Sequence, residues 1–424
     1  MSIWVSHDRH WRGPLADAQR EDALALVLEL TLEAEANGGR GLPGLIGDLQ
    51  AFPGMSSNVN LHELRTLAAA FGASRARGET PHTFLSAAAA SIPAALSEIA
   101  AMLAEPEPVE RLDADDADSE LPFAPRGSPA AGVDEQQHNR ASFAESSVRE
   151  FWAAKRVFGR GVTVAVIDSG CDRLHPDLAG QVVASRDFTP RAEAGAPDYG
   201  GHGTHCCGIA AALRNDRGMV GVAPEAKLIV AKTNSGQKGV PGASYAQKAR
   251  AIRWCAEQGA DIISMSWGNF KGANDASNRF YGRALSEVGK AGVLLLAATG
   301  NAFPRERGLP WPASHPDVLA VGNWDARLDQ LRRSSGRGDG IFCVAPGTEY
   351  YSTAPGGGYE RRTGSSMACP FVAGVLALLM CEHTQQHGRR PSRAQCLERL
   401  KSLASDQGTL GWDERTGWGV VRLM

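Results

Sequence analysis

Signals for export, for membrane insertion and for nucleic-acid binding are all missing from this sequence. The start, MSIWVSHDRHWRGPL, has neither the basic stretch nor the apolar core of a secretory signal. No unbroken run of about 18 apolar residues marks a membrane span. Neither sign of charge is in large excess: the net charge is −3, which leaves no basic footprint for nucleic acid. The eight cysteines show no paired CxxC spacing, so a zinc ribbon is excluded. With no export signal they are expected to be free thiols in a reducing cytoplasm. What is there is an apolar fraction of 43% over 424 residues, enough for two or three packed domains.

The chain changes character twice. Residues 1–104 read as a small all-helical domain. Leu24, Val27, Leu28 and Leu32 share one face of a helix that Asn37-Gly38 can end. Asn60 and Glu63 resemble a capping box ahead of Leu61, Leu64, Leu67 and Phe71. Thr80-Pro81 and Pro93 start two further helices. This region clusters no nucleophile, base or metal ligand, so it is read as an interaction module, or as an extension that merely stabilises the larger domain. Residues 105–140 open with EPEPVERLDADDADSE and continue through Pro122, Pro125, Gly127 and Pro129. That acidic, Pro/Gly-rich composition is a linker, either simply solvated or a cleavable activation segment.

From 141 to 424 short apolar runs alternate with helical stretches. Runs at 162–167, 227–232, 261–265, 293–298, 318–321 and 341–345 read as buried strands, with helices such as 244–258 and 275–290 between them. Such alternation predicts an α/β fold: a parallel sheet flanked by helices on both faces, with reactive residues gathered at the carboxyl ends of strands. The stretch TGSSMACPFVAGVLALLM, 363–380, reads as a buried helix whose first turn presents a serine. Pro370 is expected early enough in that helix to do no harm. A helix N-terminus offers unpaired N–H groups and the positive end of a dipole, which suit an oxygen that becomes negative.

Three other positions could join that serine. Asp168 ends the strand VTVAVI, His202 lies between Gly201 and Gly203 in GHGTHCCGIA, and Asn301 follows the strand at 293–298. Each has an ordinary structural role open to it: a turn cap, a satisfied core histidine, a loop amide. Together they form a set in which His202 takes the proton of Ser366 and Asp168 orients the imidazole. The Asn301 amide and the Ser366 N–H then hold the oxyanion.

These segments resemble the subtilisin-like serine peptidases, the subtilases, in which the chain order of the three groups is Asp, His, Ser. Asp168-Ser169-Gly170 followed by His175-Pro176-Asp177-Leu178, then His202-Gly203-Thr204-His205, then Gly364-Ser365-Ser366-Met367-Ala368-Cys369-Pro370 match that family's blocks. Ser365 stands where the family has threonine and keeps the hydroxyl. The closing Gly417-Trp418-Gly419-Val420-Val421 is similar to the family's last strand, and the likeness covers roughly 145–424.

The resemblance implies a serine endopeptidase with Ser366 as nucleophile and Asn301 as oxyanion residue. It needs no cofactor for its chemistry, and its substrate is a protein or peptide. A catalytically silent scaffold on the same fold, or a peptide-processing or ligating enzyme, are the alternatives. Resemblance also places an extended substrate between the 236–242 segment, with Gly236, and Ser266, Trp267 and Gly268, with Ala298 and Gly300 at the pocket floor. Trp267 reads equally well as a core aromatic. A structural calcium ion on Asp187 and the 213–219 loop, with Asn215, is an option the resemblance brings, although Arg214 and Arg217 oppose it. Cys206, after the HGTH block, falls where some family members carry a thiol; Cys207 and Cys369 also flank the site. The helical 1–104 region differs from the family's usual pro-domain and faintly resembles adaptor modules, so a recruiting partner is expected there. No nucleic acid or membrane partner is expected.

Overall fold

The computed structural model of the protein describes residues 28, 31, 61–77, 139–215, 217–270 and 276–424. Its backbone divides into two units, one comprising Met1–Glu107, Ser244–Gln247 and Asn274–Tyr281, the other Pro108–Ala243, Lys248–Ala273 and Gly282–Met424. In the first unit Leu28 and Thr31 are helical and buried. Helix α1 (Leu61–Ala76) buries Leu67, Ala68, Phe71 and Ser74. These positions recur at helical spacing; Leu67 and Phe71 belong to the face read from the sequence, while the side chains of Leu61 and Leu64 lie outside the described residues. The expected helices near Thr80 and Pro93, and the linker, lie outside the described residues.

The second unit opens with α2 (Arg140–Ser146) and α3 (Val148–Lys155), which the sequence reading did not single out. Then follow β1 (Thr163–Asp168), β2 (Val182–Asp187), α4 (His202–Ala211) and β3 (Lys227–Lys232). Next in chain order come α5 (Tyr245–Glu257), β4 (Ile262–Met265), α6 (Ala276–Lys290) and β5 (Leu294–Ala298), the first residues of α5 and α6 belonging to the first unit. The chain continues through β6 (Val318–Asp325), β7 (Gln330–Leu331), β8 (Ile341–Pro346) and the hairpin β9 (Tyr350–Ala354) and β10 (Gly358–Arg362). It closes with α7 (Ser365–His387), α8 (Arg393–Ser402), β11 (Ala404–Ser405) and β12 (Val420–Val421).

The main sheet runs in the order β11-β12-β8-β6-β5-β4-β1-β3-β2, with β7 paired to β6. All of its pairings are parallel except β11 with β12 and β6 with β7. Parallel strands covered on both sides must be apolar throughout, and β1, β3, β4, β5 and β6 bury nearly every residue. Register decides where the chain ends of these strands fall. Asp168 pairs with Lys232, Ile167 with Met265, and Met265 with Ala297. The segments that leave these strands therefore start side by side along one edge: Asp168-Ser169, Ser266-Trp267-Gly268 and Thr299-Gly300-Asn301.

Helix α7 supplies the middle of the core. Its residues from Ser365 to Glu382 are all buried, and it packs against α4 and strands β1, β4, β5, β6 and β8. Among the described residues it alone is long and apolar enough to cross a membrane, and that apolar length is enclosed by the sheet and helices. Pro370 lies further into the helix than expected, the sixth residue counted from Ser365. A proline there has no N–H for the carbonyl four residues back, which is that of Ser366. Replacing Leu376, fully buried in α7, by alanine should destabilise the full chain by about 2–5 kcal/mol. The check is a lower urea midpoint at unchanged slope; a midpoint within error of wild type would show that α7 is not the core.

Candidate active site

Asp168 is the last residue of β1 and is buried. Its Oδ1 lies 2.8 Å from Nδ1 of His202 and also accepts from the Ser169 N–H at 2.7 Å. Its Oδ2 is buried with no hydrogen-bond partner among the described residues. A desolvated, undercompensated carboxylate favours a cation beside it. Burial alone would pull the His202 imidazole down, but the Asp168 carboxylate holds its pKa well above the ordinary 6.5.

The other histidine of the block behaves oppositely. His205 is fully buried, and burial first, then the charges of Arg362 and His202, push it well below 6.5. Its Nε2 sits 3.1 Å from the Tyr350 carbonyl and 3.3 Å from that of Glu360, so it fastens the β9–β10 hairpin to α4. The hairpin also donates to α4 through Ser352 Oγ to the His205 carbonyl and Thr353 Oγ1 to the Thr204 carbonyl.

Two glycines let His202 come this close. Gly201, at φ 79°, turns the chain into α4, and a Cβ on it would meet Pro355 and the Arg362 and Glu360 side chains. A Cβ on Gly203 would stand 2.2 Å from the Gly170 carbonyl oxygen, so only glycine lets the helix start rest on the turn after Asp168.

Ser366 is buried in the first turn of α7. Its Oγ donates to the Ser266 carbonyl at 3.2 Å, and Ser266 Oγ donates back to the Ser366 carbonyl at 2.8 Å. That carbonyl is the one Pro370 leaves without its helical donor. The Cys206 thiol reaches the same carbonyl at 3.5 Å while its Sγ stands 3.9 Å from His202 Nδ1. Cys206 thus touches both residue 202 and residue 366, which brings the two into one cluster. Burial, the largest influence, pushes the Cys206 pKa up, so it is a thiol and can donate. Burial likewise raises Cys369 to about 12. Cys207 is held well above 9.0 by its hydrogen bond to Cys171 and by burial. All eight cysteines are free and buried, as expected for packing thiols.

Asn301 follows β5. Its Oδ1 accepts from the Ser365 N–H at 2.9 Å, which fixes the amide's orientation. Its Nδ2 is then left buried without a hydrogen-bond partner among the described residues.

The expected substrate residues come to this edge. Ser266, Trp267 and Gly268 follow β4; Ala298 ends β5 and Gly300 follows it. Asn269 and Trp311 exchange backbone hydrogen bonds at 2.8 and 2.7 Å, which brings Gly268 and Gly300 against Pro310. Gly236, at φ 67°, lies so close to Gly200 that a Cβ on it would be 2.6 Å from the Gly200 nitrogen. Trp267 is buried, with the Lys248 ammonium 4.5 Å over its ring.

Among the described residues, Asp187 and Asn215 share no hydrogen-bond partner. Asp187 accepts from the N–H groups of Thr189 at 2.8 Å and Glu193 at 3.1 Å, and the Lys232 ammonium stands 3.8 Å away. Asn215 instead faces Asp177, donating to its Oδ1 at 3.1 Å, while Tyr359 and the Met219 N–H donate to Oδ2 at 2.8 and 3.2 Å. A calcium ion shared by Asp187 and Asn215 does not fit this arrangement. The carboxylate that the 213–219 loop encloses is Asp177, which the HPDL tetrapeptide displayed without revealing that role. Asp198 was missed, because nothing in the sequence shows that its side chain collects donors from both the turn after Asp168 and the start of α4.

Residues 159–419 match the family model described as the Subtilase family. The chain is 37% identical over 257 residues to the "Major intracellular serine protease" of Bacillus subtilis (strain 168), covering 59% of this chain and 78% of that one. It is 40% identical over 230 residues to the "Intracellular serine protease" of Paenibacillus polymyxa, covering 52% and 67%. It is 35% identical over 257 residues to "Subtilisin" of Bacillus pumilus, covering 59% and 86%. The chain belongs to the subtilase family. It is accordingly a subtilisin-like serine protease, and its substrates are proteins or peptides.

The electrostatics of the two histidines give a direct test. An NMR titration of the imidazole resonances should place His202 above 6.5 and His205 below it, with Asp168→Asn bringing His202 down. A His202 transition below that of His205 would contradict the assignment.

Proposed function

We propose that the chain hydrolyses peptide bonds with Ser366 as nucleophile, His202 as general base and then acid, and Asp168 as the group that orients the imidazole. His202 Nε2 removes the hydroxyl proton as Oγ attacks the substrate carbonyl carbon. The imidazolium so formed is stabilised by Asp168 and returns its proton to the leaving amine. Water then repeats the sequence on the acyl-enzyme and releases the acid. The Asn301 Nδ2 and the Ser366 N–H at the mouth of α7 receive the oxyanion.

The observation that carries this reading is the Asn301 amide. A buried donor left without an acceptor costs about 1–3 kcal/mol. With its Oδ1 committed to Ser365, the amide keeps that donor ready for a charge that exists only during reaction. The twin glycine-lined segments support an extended peptide held by main-chain hydrogen bonds near Gly236 and Ser266 to Gly268, with Ala298 and Gly300 beneath it. The names of two relatives, together with eight free thiols, support a cytoplasmic enzyme. The N-terminal region is proposed as its point of recruitment, on its resemblance to adaptor modules.

Peptide hydrolysis by the full chain should fall to a residual rate in Ser366→Ala. In Asn301→Ala, kcat should fall about 10²–10³-fold with KM little changed. A kcat unaffected by Asn301→Ala would remove Asn301 from the reaction.

A further inference from the structure

Outside the three proposed catalytic groups, one buried carboxylate touches both of the segments that carry Asp168 and His202. Asp198 is 7% exposed and lies in the loop before α4. Its Oδ1 accepts from Ser169 Oγ at 2.9 Å, from the Gly200 N–H at 3.1 Å and from the Gly201 N–H at 2.8 Å. Its Oδ2 accepts from the Thr204 N–H and the Thr204 hydroxyl, both at 2.7 Å. Ser169 directly follows Asp168, while Gly201 directly precedes His202.

Two of these donors relay the connection onward. The Ser169 hydroxyl, donating to Asp198, accepts from the Gly203 N–H at 2.9 Å. The Thr204 hydroxyl, also donating to Asp198, accepts from the Asp172 N–H at 3.0 Å. The turn after β1 and the first turn of α4 are therefore laced together by two relayed hydrogen bonds next to Asp168 and His202, both of which run through donors to Asp198. A helix cap accounts for the bonds to Thr204 and to the Gly201 N–H at the helix start; the bonds to Ser169 and Gly200 lie outside the helix and tie it to the turn after Asp168. Five donors converge on one side chain, which requires a group that only accepts. An asparagine would turn an N–H₂ against N–H and O–H donors. The negative charge is met by the N-terminal end of α4 and by the nearby Arg362 guanidinium, which donates to the Gly200 carbonyl at 2.8 Å.

We propose that Asp198 is a positioning residue for catalysis: its carboxylate sets the relative placement of Asp168 and His202 by holding Ser169, Gly200, Gly201 and Thr204 at once. The proposal rests on the catalytic roles given in the preceding subsection.

The test compares wild type, Asp198→Asn, Ser169→Ala and the double variant, all as full-length chains and well below their unfolding temperatures. Asp198→Asn should lower kcat for peptide hydrolysis about 100-fold, as small misplacements of reacting groups do, with KM within about twofold. The downfield Nδ1–H proton resonance of His202 should shift or broaden in the same variant. Ser169→Ala should produce smaller changes in the same direction, and the double variant should be no worse than Asp198→Asn alone. A melting temperature that drops while kcat and the resonance stay at wild-type values would make Asp198 a structural cap and overturn the proposal. Should Asp198→Asn not fold, Ser169→Ala decides by the same two readouts. The wild-type resonance separates the two levels of argument. If it does not respond to Asp168→Asn, the catalytic reading itself fails. If it responds to Asp168→Asn but not to Asp198→Asn or Ser169→Ala, only the role of Asp198 fails.

Discussion

The bond between Asp168 and His202 is the contact on which the rest of the site depends. A histidine in a buried setting would ordinarily lose its proton affinity; here a carboxylate with one oxygen on the ring reverses that. The fold exists to place those two groups at 2.8 Å. Parallel pairing of β1 with β3 and β4 sets the end of β1 at the sheet edge. Glycines at 201 and 203 let α4 start directly on the turn beyond it. The β9–β10 hairpin, anchored through His205, presses on the other side of the helix.

The second constraint is the mouth of α7. Placing Pro370 a turn and a half into a buried helix removes the donor for the Ser366 carbonyl, an arrangement that would cost stability in an ordinary core. Ser266 and Cys206 supply that donor from two other segments. The proline therefore trades a local helical bond for two long-range ones, and those tie the proposed nucleophile to the end of β4 and to the helix that carries the proposed base. The site is stiffened by the same residues that a helix-propensity argument would mark as defects.

Much of this was legible in the sequence, and what was not has physical reasons. The strands β1, β3, β4, β5, β6 and β8 were readable because each is a continuous apolar run buried on both faces. Strand β2, at the sheet edge with the half-exposed pattern of VVASRD, offers no such run. The hairpin of β9 and β10 is polar and short, and its burial comes from α4. Asp168, His202 and Ser366 could be singled out because each sits in a long motif at a strand or helix end, and Asn301 because it directly follows a buried strand. The aspartate facing the 213–219 loop was misplaced at 187 instead of 177, because the choice depends on which carboxylate Asn215 and Tyr359 reach in space. Asp198, the donors to the Ser366 carbonyl and the depth of Pro370 in its helix all depend on contacts or boundaries that one-dimensional spacing does not carry.

The account stands on an imidazole that activates one particular hydroxyl. The most direct measurement is mass-spectrometric mapping of a fluorophosphonate adduct on the full chain, run on wild type and on His202→Ala. The account predicts one adduct, on Ser366 in wild type, and loss of labelling in His202→Ala. An adduct on another residue, or labelling of Ser366 that is as fast without His202, would contradict it.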